Sequence, residues 1–190
     1  MTLLRRLFFA LLGVMMLFSC SVKKFIPEGE YLLNDVDIVS NTNTDNASKA
    51  KKYIRQKPNA KWFSLAKVPM YTYALSGLDS TKWGNRVLRR LGEKPVVYSH
   101  KLAEATRSNI QQMLLNDGYL HARVDLETLV NEPKRRAKVT YYLHEKERYY
   151  ISEFNMESED SVVGAIIIAD SLSSTIRPGM PFSVDGMEAE

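Results

Sequence analysis

Ile110-Gln-Gln-Met-Leu-Leu-Asn-Asp-Gly-Tyr-Leu-His-Ala-Arg-Val124 changes its hydrophobic period at its centre, and that change decides the fold. On the N-terminal side the period is helical. Leu102, Thr106, Ile110, Met113 and Leu114 stand at i, i+4, i+8, i+11 and i+12, one apolar face of a helix from about His100 to Asn116. Ser99 is a suitable N-cap. Gly118 stands where a glycine in the left-handed conformation ends a helix. Beyond it the period drops to two: Ala122, Val124 and Leu126 alternate with Arg123, Asp125 and Glu127. Asn131 to Arg136 (NEPKRR) is a turn, after which Val139, Tyr141 and Leu143 alternate with Thr140, Tyr142 and His144. The stretch therefore predicts a helix followed by a hairpin with a five- or six-residue loop.

Upstream, Val36 and Ile38 alternate with Asp35 and Asp37 in a strand over Tyr31–Val39. Ser40 to Asn46 is a polar turn rich in N-cap residues. Ala47–Lys57 then reads as a helix with Ala47, Ala50 and Ile54 on one stripe, stopped by Pro58. The first unit is thus β-α-α-β-β, with extra sequence at about 59–95. Within that insertion Thr81–Leu91 reads as a helix with the stripe Trp83, Val87, Leu91, and Gly92 ends it. Downstream the order restarts. Tyr149–Met156 reads as a strand, Ser161–Leu172 as a helix, Pro178-Gly179 as a turn, and Ser183 as the cap of another helix. The fold class is α+β. The expectation is one enlarged unit over 28–148 and the start of a second over 149–190, cut short as in a piece of a longer protein.

Charged residues are 25% and hydrophobic residues 45% of 190, which excludes a disordered tail and a polytopic membrane protein. The net charge of +4 is a sum of unlike pieces: +2 up to Ser19, +9 from there to Arg148, and −7 from Tyr149 onward. A single cysteine excludes an internal disulfide and a cysteine-cluster metal site. Fifteen of the first 20 residues are apolar, Arg5 and Arg6 form a positive stretch before the run Leu7–Phe18, and that run is too short to span a bilayer. Residues 1–19 therefore read as a signal peptide. No A-x-A site precedes the polar sequence. Leu17-Phe18-Ser19-Cys20 resembles a bacterial lipobox, in which the cysteine thiol accepts a diacylglyceryl group and the new amine is acylated with a palmitate-type chain. Several acyl chains give stable anchoring where one alone is marginal. Ser21 after the cysteine resembles the outer-membrane sorting pattern, and 20–27 reads as a lipidated tether.

The helix, the Asn116-Asp-Gly-Tyr119 turn and the strand ending at Val124, set in the order β-α-α-β-β, resemble a polypeptide-transport-associated (POTRA) domain. With Cys20, Lys24–Asn34 (KFIPEGEYLLN) and Leu78–Tyr98, the chain resembles the start of the lipidated, TamL-like members of the BamA/TamA superfamily. That resemblance implies a periplasm-facing module of an outer-membrane assembly or translocation lipoprotein. Its partners are then unfolded outer-membrane or translocated polypeptides, envelope assembly subunits, and the outer membrane through the lipid anchor. It implies that the second strand is a sheet edge to which an extended client adds by backbone hydrogen bonds. Arg123, Asp125 and Glu127 lie on that edge strand, and their charges suit a client-binding edge and a merely protected one equally. An adaptor lipoprotein that holds an envelope complex together without handling clients is the alternative.

From Lys49 to Lys101 there are 13 Lys+Arg against two acids, Asp79 and Glu93, with Trp62, Phe63, Tyr71, Tyr73, Trp83 and Tyr98 interleaved. Two readings stay open. Trp62, Trp83, Arg86, Arg89 and Arg90 form a contact with a membrane surface or an acidic partner, or the aromatics make a satellite core beneath a solvated basic face. Export argues against nucleic acid as the partner of this patch. No catalytic role is expected. His100, His121 and His144 lack metal-ligand spacing, the two on strands fall at outward positions, and there is neither a nucleophile elbow nor a phosphate-binding loop. No cofactor is implied other than the covalent lipid on Cys20.

Overall fold

The computed structural model describes residues 22–42, 45–63, 66–155 and 176–188. The signal segment 1–19, Cys20 and the helix read at Ser161–Leu172 lie outside the described residues. Along the chain run β1 (Leu32–Ser40), α1 (Asn46–Ala50), α2 (Val68–Leu75), α3 (Trp83–Leu91), α4 (His100–Asn116), β2 (Arg123–Asn131), β3 (Arg136–His144) and α5 (Val184–Glu188), with single 3-10 turns at Lys23–Phe25 and Lys51–Tyr53. The class is α+β, as the sequence predicts.

The sheet has the order β1-β3-β2. The central strand carries the strictest alternation: Ala137, Val139, Tyr141 and Leu143 are all buried. Leu32 N donates to Arg135 O at one end of the β1–β3 pair and Asn41 N to Leu143 O at the other, so the two strands run in the same direction. Nine residues on β1 match eight on β3 between those bonds, so β1 carries one extra residue. The hairpin loop is the four residues Glu132–Arg135, shorter than expected. It is tightened by Arg135 N donating to Glu132 O, with Arg135 at φ 49°.

The chain divides into two compact units, and the division passes through the strands. The first contains residues up to Asp37, Arg55–Ala103 and Glu127–Thr140. Its core joins Val22, Ile26, Leu32, Met70 and Ala74, with Phe25 and Tyr71 packed against them. Leu32 and Leu33 are neighbours yet both buried. Leu32 enters this cluster, and Leu33 N bonds to Val96 O where residues 96–98 run antiparallel beside the start of β1. The residues read as a loose tether therefore begin the fold: Val22 and Ile26 are core.

Helix α2 was not expected from the sequence. Val-Pro-Met-Tyr-Thr-Tyr-Ala-Leu has no polar face to set a period, and Pro69 suits the first turn of a helix without announcing one. Gly92 ends α3 as predicted. It also lets α3 press on α2, because a Cβ there would lie 2.4 Å from Tyr73 N. The helix expected over Ala47–Lys57 stops at Tyr53 and Ile54 is extended. Two forces oppose continuation: Gln56 bonds Val97 O and Ser99 N through its amide, and Pro58 disfavours helical geometry before it.

The second unit contains Ile38–Ile54, Glu104–Leu126 and Tyr141 onward. Helix α4 runs over the predicted residues, and Ser99 Oγ accepts from Leu102 N at 3.5 Å. Its buried stripe is Ala103, Thr106, Ile110, Met113 and Leu114, while Leu102 is 39% exposed. The small Ala103 thus takes the place assigned to Leu102. The helix closes in a Schellman motif, with Tyr119 N donating to Leu114 O and Gly118 N to Leu115 O around Gly118 at φ 90°. Tyr149–Met156 is not a strand over its described part. Tyr150 makes an isolated antiparallel bridge to Pro181, and Tyr149 N donates to Gly118 O. The reciprocal donors leave the pairing, Tyr149 N bonding to Gly118 O and Met180 N to Arg177 O. Ser183 does cap α5, its Oγ accepting from Gly186 N at 3.4 Å.

Candidate functional site

The sheet order leaves β2 as an outer strand, with one row of backbone groups outside the ladder. Its residues fall into two halves. In the first, Arg123 and Asp125 point away from the core face that Val124 enters. Arg123 Nε lies 2.7 Å from Asp125 Oδ1, and His144 Nε2 lies 3.2 Å from Asp125 Oδ2. The three make a small polar cluster on the outward side of this half of the strand. His144, expected to stand in solvent, is half-buried beside Asp125.

The second half is different. Glu127 is exposed, Thr128 shares a hydrogen bond with the Tyr98 hydroxyl at 3.1 Å, and Leu129 and Val130 are 55% and 42% exposed. A shallow groove of about 370 Å³ opens beside Leu129 and Val130, walled by Asn34, Arg136 and Lys138. Leu129 continues the outward face of Arg123, Asp125 and Glu127, where alternation already places it, but its apolar character was passed over beside the charges. Val130 shares the face of buried Val124, and only the structure shows it exposed.

The insertion resolves into two populations of aromatics. Tyr71, Tyr73 and Tyr98 are half-buried, and Tyr73 meets Phe25 edge-on with ring centroids 5.2 Å apart. Trp62, Phe63 and Trp83 are exposed. Trp62 and Ala66 bridge each other, and Phe63 stands in the left-handed region at φ 52°. The satellite core therefore exists, but without either tryptophan.

The four predicted residues of α3 separate by face. Trp83, Arg86 and Arg90 are exposed together. Arg89 is turned inward: its Nε donates to Ser76 Oγ at 3.2 Å and its Nη2 to Gly77 O and Leu78 O at 2.8 and 2.9 Å. Its guanidinium stacks 5.8 Å from the Phe25 ring and 5.7 Å from that of Tyr73. Arg89 thus holds the turn between α2 and α3, and the candidate surface keeps Trp83, Arg86 and Arg90.

Two buried ionisable groups escaped the sequence reading. Glu145 accepts from Ser40 Oγ at 2.9 Å and from Thr42 Oγ1, closing the end of the β1–β3 pair in the second unit. Lys67 in the first unit is buried with its ammonium donating to Asn34 O. Desolvation, aided by nearby Lys61, pushes its pKa down to about 8. Neither sits in a cleft with a nucleophile, and both serve backbone closure. No group of three or more His, Cys, Asp or Glu is arranged to hold a metal among the described residues. Among them, no helix is long and apolar enough to cross a membrane.

A family model identifies the fold. The family model described as POTRA, surface antigen variable number repeat, matches residues 31–146. Among solved structures, the chain is similar to a crystal structure of Haemophilus influenzae BamA POTRA3-5 at 15% identity and a TM-score of 0.45. That alignment covers 86% of this chain and 53% of the other, so the chain spans about half the length of that relative. No curated protein sequence matches it. The matched range contains β1, the helices α1 to α4 and the β2–β3 hairpin, and the chain belongs to the POTRA family.

Proposed function

We propose that this chain is the periplasm-facing POTRA module of a TamL-like outer-membrane assembly or translocation lipoprotein. It binds extended client segments, or partner subunits, by strand addition to β2. In this reading Cys20 carries the lipid, residues 28–148 are the first POTRA unit and Tyr149 opens a second. The supporting observation is the second half of the edge. Unlike the Arg123–Asp125–His144 half, Glu127–Asn131 combines an outer-strand backbone with exposed Leu129 and Val130. A client strand placed there gains sequence-tolerant main-chain bonds, with alternate side chains reaching the groove beside Arg136 and Lys138. The family description, a surface-antigen repeat, supports an outer-membrane setting.

The adaptor reading is favoured by the polar cluster at Asp125 on the outward side of half of the strand, as on a structural edge. A photocrosslinker at Leu129, read against one at Arg123, separates the two. Client binding requires adducts at Leu129 with unfolded outer-membrane polypeptides. It also requires slowed amide exchange over Glu127–Asn131 when an alternating strand peptide of ~10 residues is added. Adducts only with folded envelope subunits, and unchanged exchange, leave the adaptor. Loss of lipid incorporation on Cys20→Ala tests the anchor separately.

A further inference from the structure

Helix α3 is attached to the protein by its polar side. Asn85 accepts from Gly77 N at 2.8 Å and donates to Asp79 O at 2.7 Å, and one turn later Arg89 binds Ser76, Gly77 and Leu78. These bonds set the rotation of the helix. They leave Trp83, Val87 and Leu91, at i, i+4 and i+8, facing outward, with Trp83 75% and Leu91 71% exposed. No residue of α3 is buried. Arg86 and Arg90, at i+3 and i+7, flank the same stripe and are exposed. Neither pairs with an acid among the described residues, and Lys82 stands exposed just before the helix. The sequence from Ser80 to Gly92 contains no acid. The nearest one before it, Asp79, has its carboxylate engaged by Thr81 N and Oγ1.

The inward side of α3 lies close to where the chain enters the fold. Arg89 stacks on Phe25, Lys24 Nζ donates to Ser76 O at 2.7 Å, and Val22 is buried in the first-unit core. Only two residue steps separate Cys20 from Val22, a reach of at most about 7 Å even fully extended. A lipid on Cys20 therefore has no slack with which to hold this unit away from a bilayer.

We propose that the first unit docks on an anionic lipid surface through α3, with Trp83, Val87 and Leu91 in the interface and Arg86, Arg90 and Lys82 over the headgroup phosphates. Charge complementarity selects an anionic partner. The indole and aliphatic residues between the cations select one with an accessible hydrocarbon layer. The proposal concerns a surface distinct from the β2 edge and holds whether or not clients bind there. The Cys20 reading contributes only the short tether.

The test uses the chain from Ser21 to Glu190, which retains every described residue and lacks the anchor, so that its outcome does not depend on lipidation. Co-sedimentation is measured with vesicles of phosphatidylethanolamine and phosphatidylglycerol, and with neutral phosphatidylcholine vesicles. Binding is expected to the anionic vesicles only and to fall in about 0.5 M salt. Arg86→Ala with Arg90→Ala is expected to weaken it roughly 20-fold. Both side chains are exposed, and circular dichroism of the variant checks that it remains folded. In a Trp62→Phe background Trp83 is the sole tryptophan. Its emission is expected to shift to the blue on anionic vesicles. Equal binding by wild type and the double variant overturns the proposal. So does an unshifted Trp83, or binding to a polyglutamate peptide with none to vesicles, which would mark an acidic protein as the occupant.

Discussion

Lys67 shows how one residue couples the insertion to the sheet. Its ammonium is held by Asn34 O in β1 and is poorly solvated, so its pKa falls from the ordinary 10.5 to about 8. The sign of the consequence follows from proton counting. Between about pH 8 and 10.5 the unfolded chain keeps a proton that the folded chain has lost, so stability rises with pH across that window. Below pH 8 the cost of burying the charge is present in full. Urea unfolding of wild type against Lys67→Met, each at pH 7 and pH 10, isolates the effect. The wild type is expected to gain more stability than the variant between the two pH values. Parallel responses would show that Lys67 stays solvated. Gly118 is the second decisive residue. It combines φ 90° with a Cβ position only 2.6 Å from Phe182 O. Gly118→Ala therefore meets both backbone strain and a backbone obstacle, and is expected to cost roughly 1–3 kcal/mol in denaturant unfolding.

At the scale of elements, the contrast lies between helices held by apolar burial and a helix held by hydrogen bonds. Helix α4 buries Ile110, Met113 and Leu114. Helix α3 buries nothing and depends on Asn85, Arg89 and the close approach at Gly92. Gly92→Ala places a methyl against the α2 backbone and is expected to release α3, read as loss of protection over Trp83–Leu91 with α4 unchanged. The 3-10 turn at Lys23–Phe25 contributes more than its three residues suggest. It sets Val22 and Ile26 into the first-unit core, so Ile26→Ala is expected to cost about 2–4 kcal/mol. Strand β2 carries its meaning in its position. Val124 turns inward and is buried, while Leu129, an equally apolar residue on the same strand, faces solvent.

For the whole molecule, opening free energies should follow the depth of burial. Amide exchange is expected to be slowest over Ile110–Leu114 and Val139–Leu143, and fastest in α3 and in Trp62–Phe63. Uniform exchange across α3 and α4 would contradict that order. Most of this architecture was legible beforehand. The β1 pattern, the full length of α4, the glycine that ends it and the β2–β3 alternation all rest on local periodicity and capping, which short stretches carry within themselves. Helix α2 was not legible because VPMYTYAL lacks a polar face. The strand read at Tyr149 shrinks to one bridge because Tyr149 N and Met180 N bond to Gly118 O and Arg177 O instead of to each other's strand. The inward Arg89 could not be told from Arg86 and Arg90, since all three are arginines on one short helix.

The sequence by itself determined β1, α4 and the β2–β3 hairpin in their order, the α+β class and the family, because period, caps and turn residues act over a few residues at a time. Only the tertiary structure decided which apolar residues are core and which are surface. Val130 shares the face of β2 that carries buried Val124, yet it is 42% exposed at the far end of the strand. Trp83 is exposed because Asn85 and Arg89 fix the rotation of α3. Val22 is buried because a distant helix, α2, supplies Met70 and Ala74 to cover it. Each outcome depends on contacts between segments far apart in the chain, and no local pattern encodes which side of an apolar residue another segment will cover.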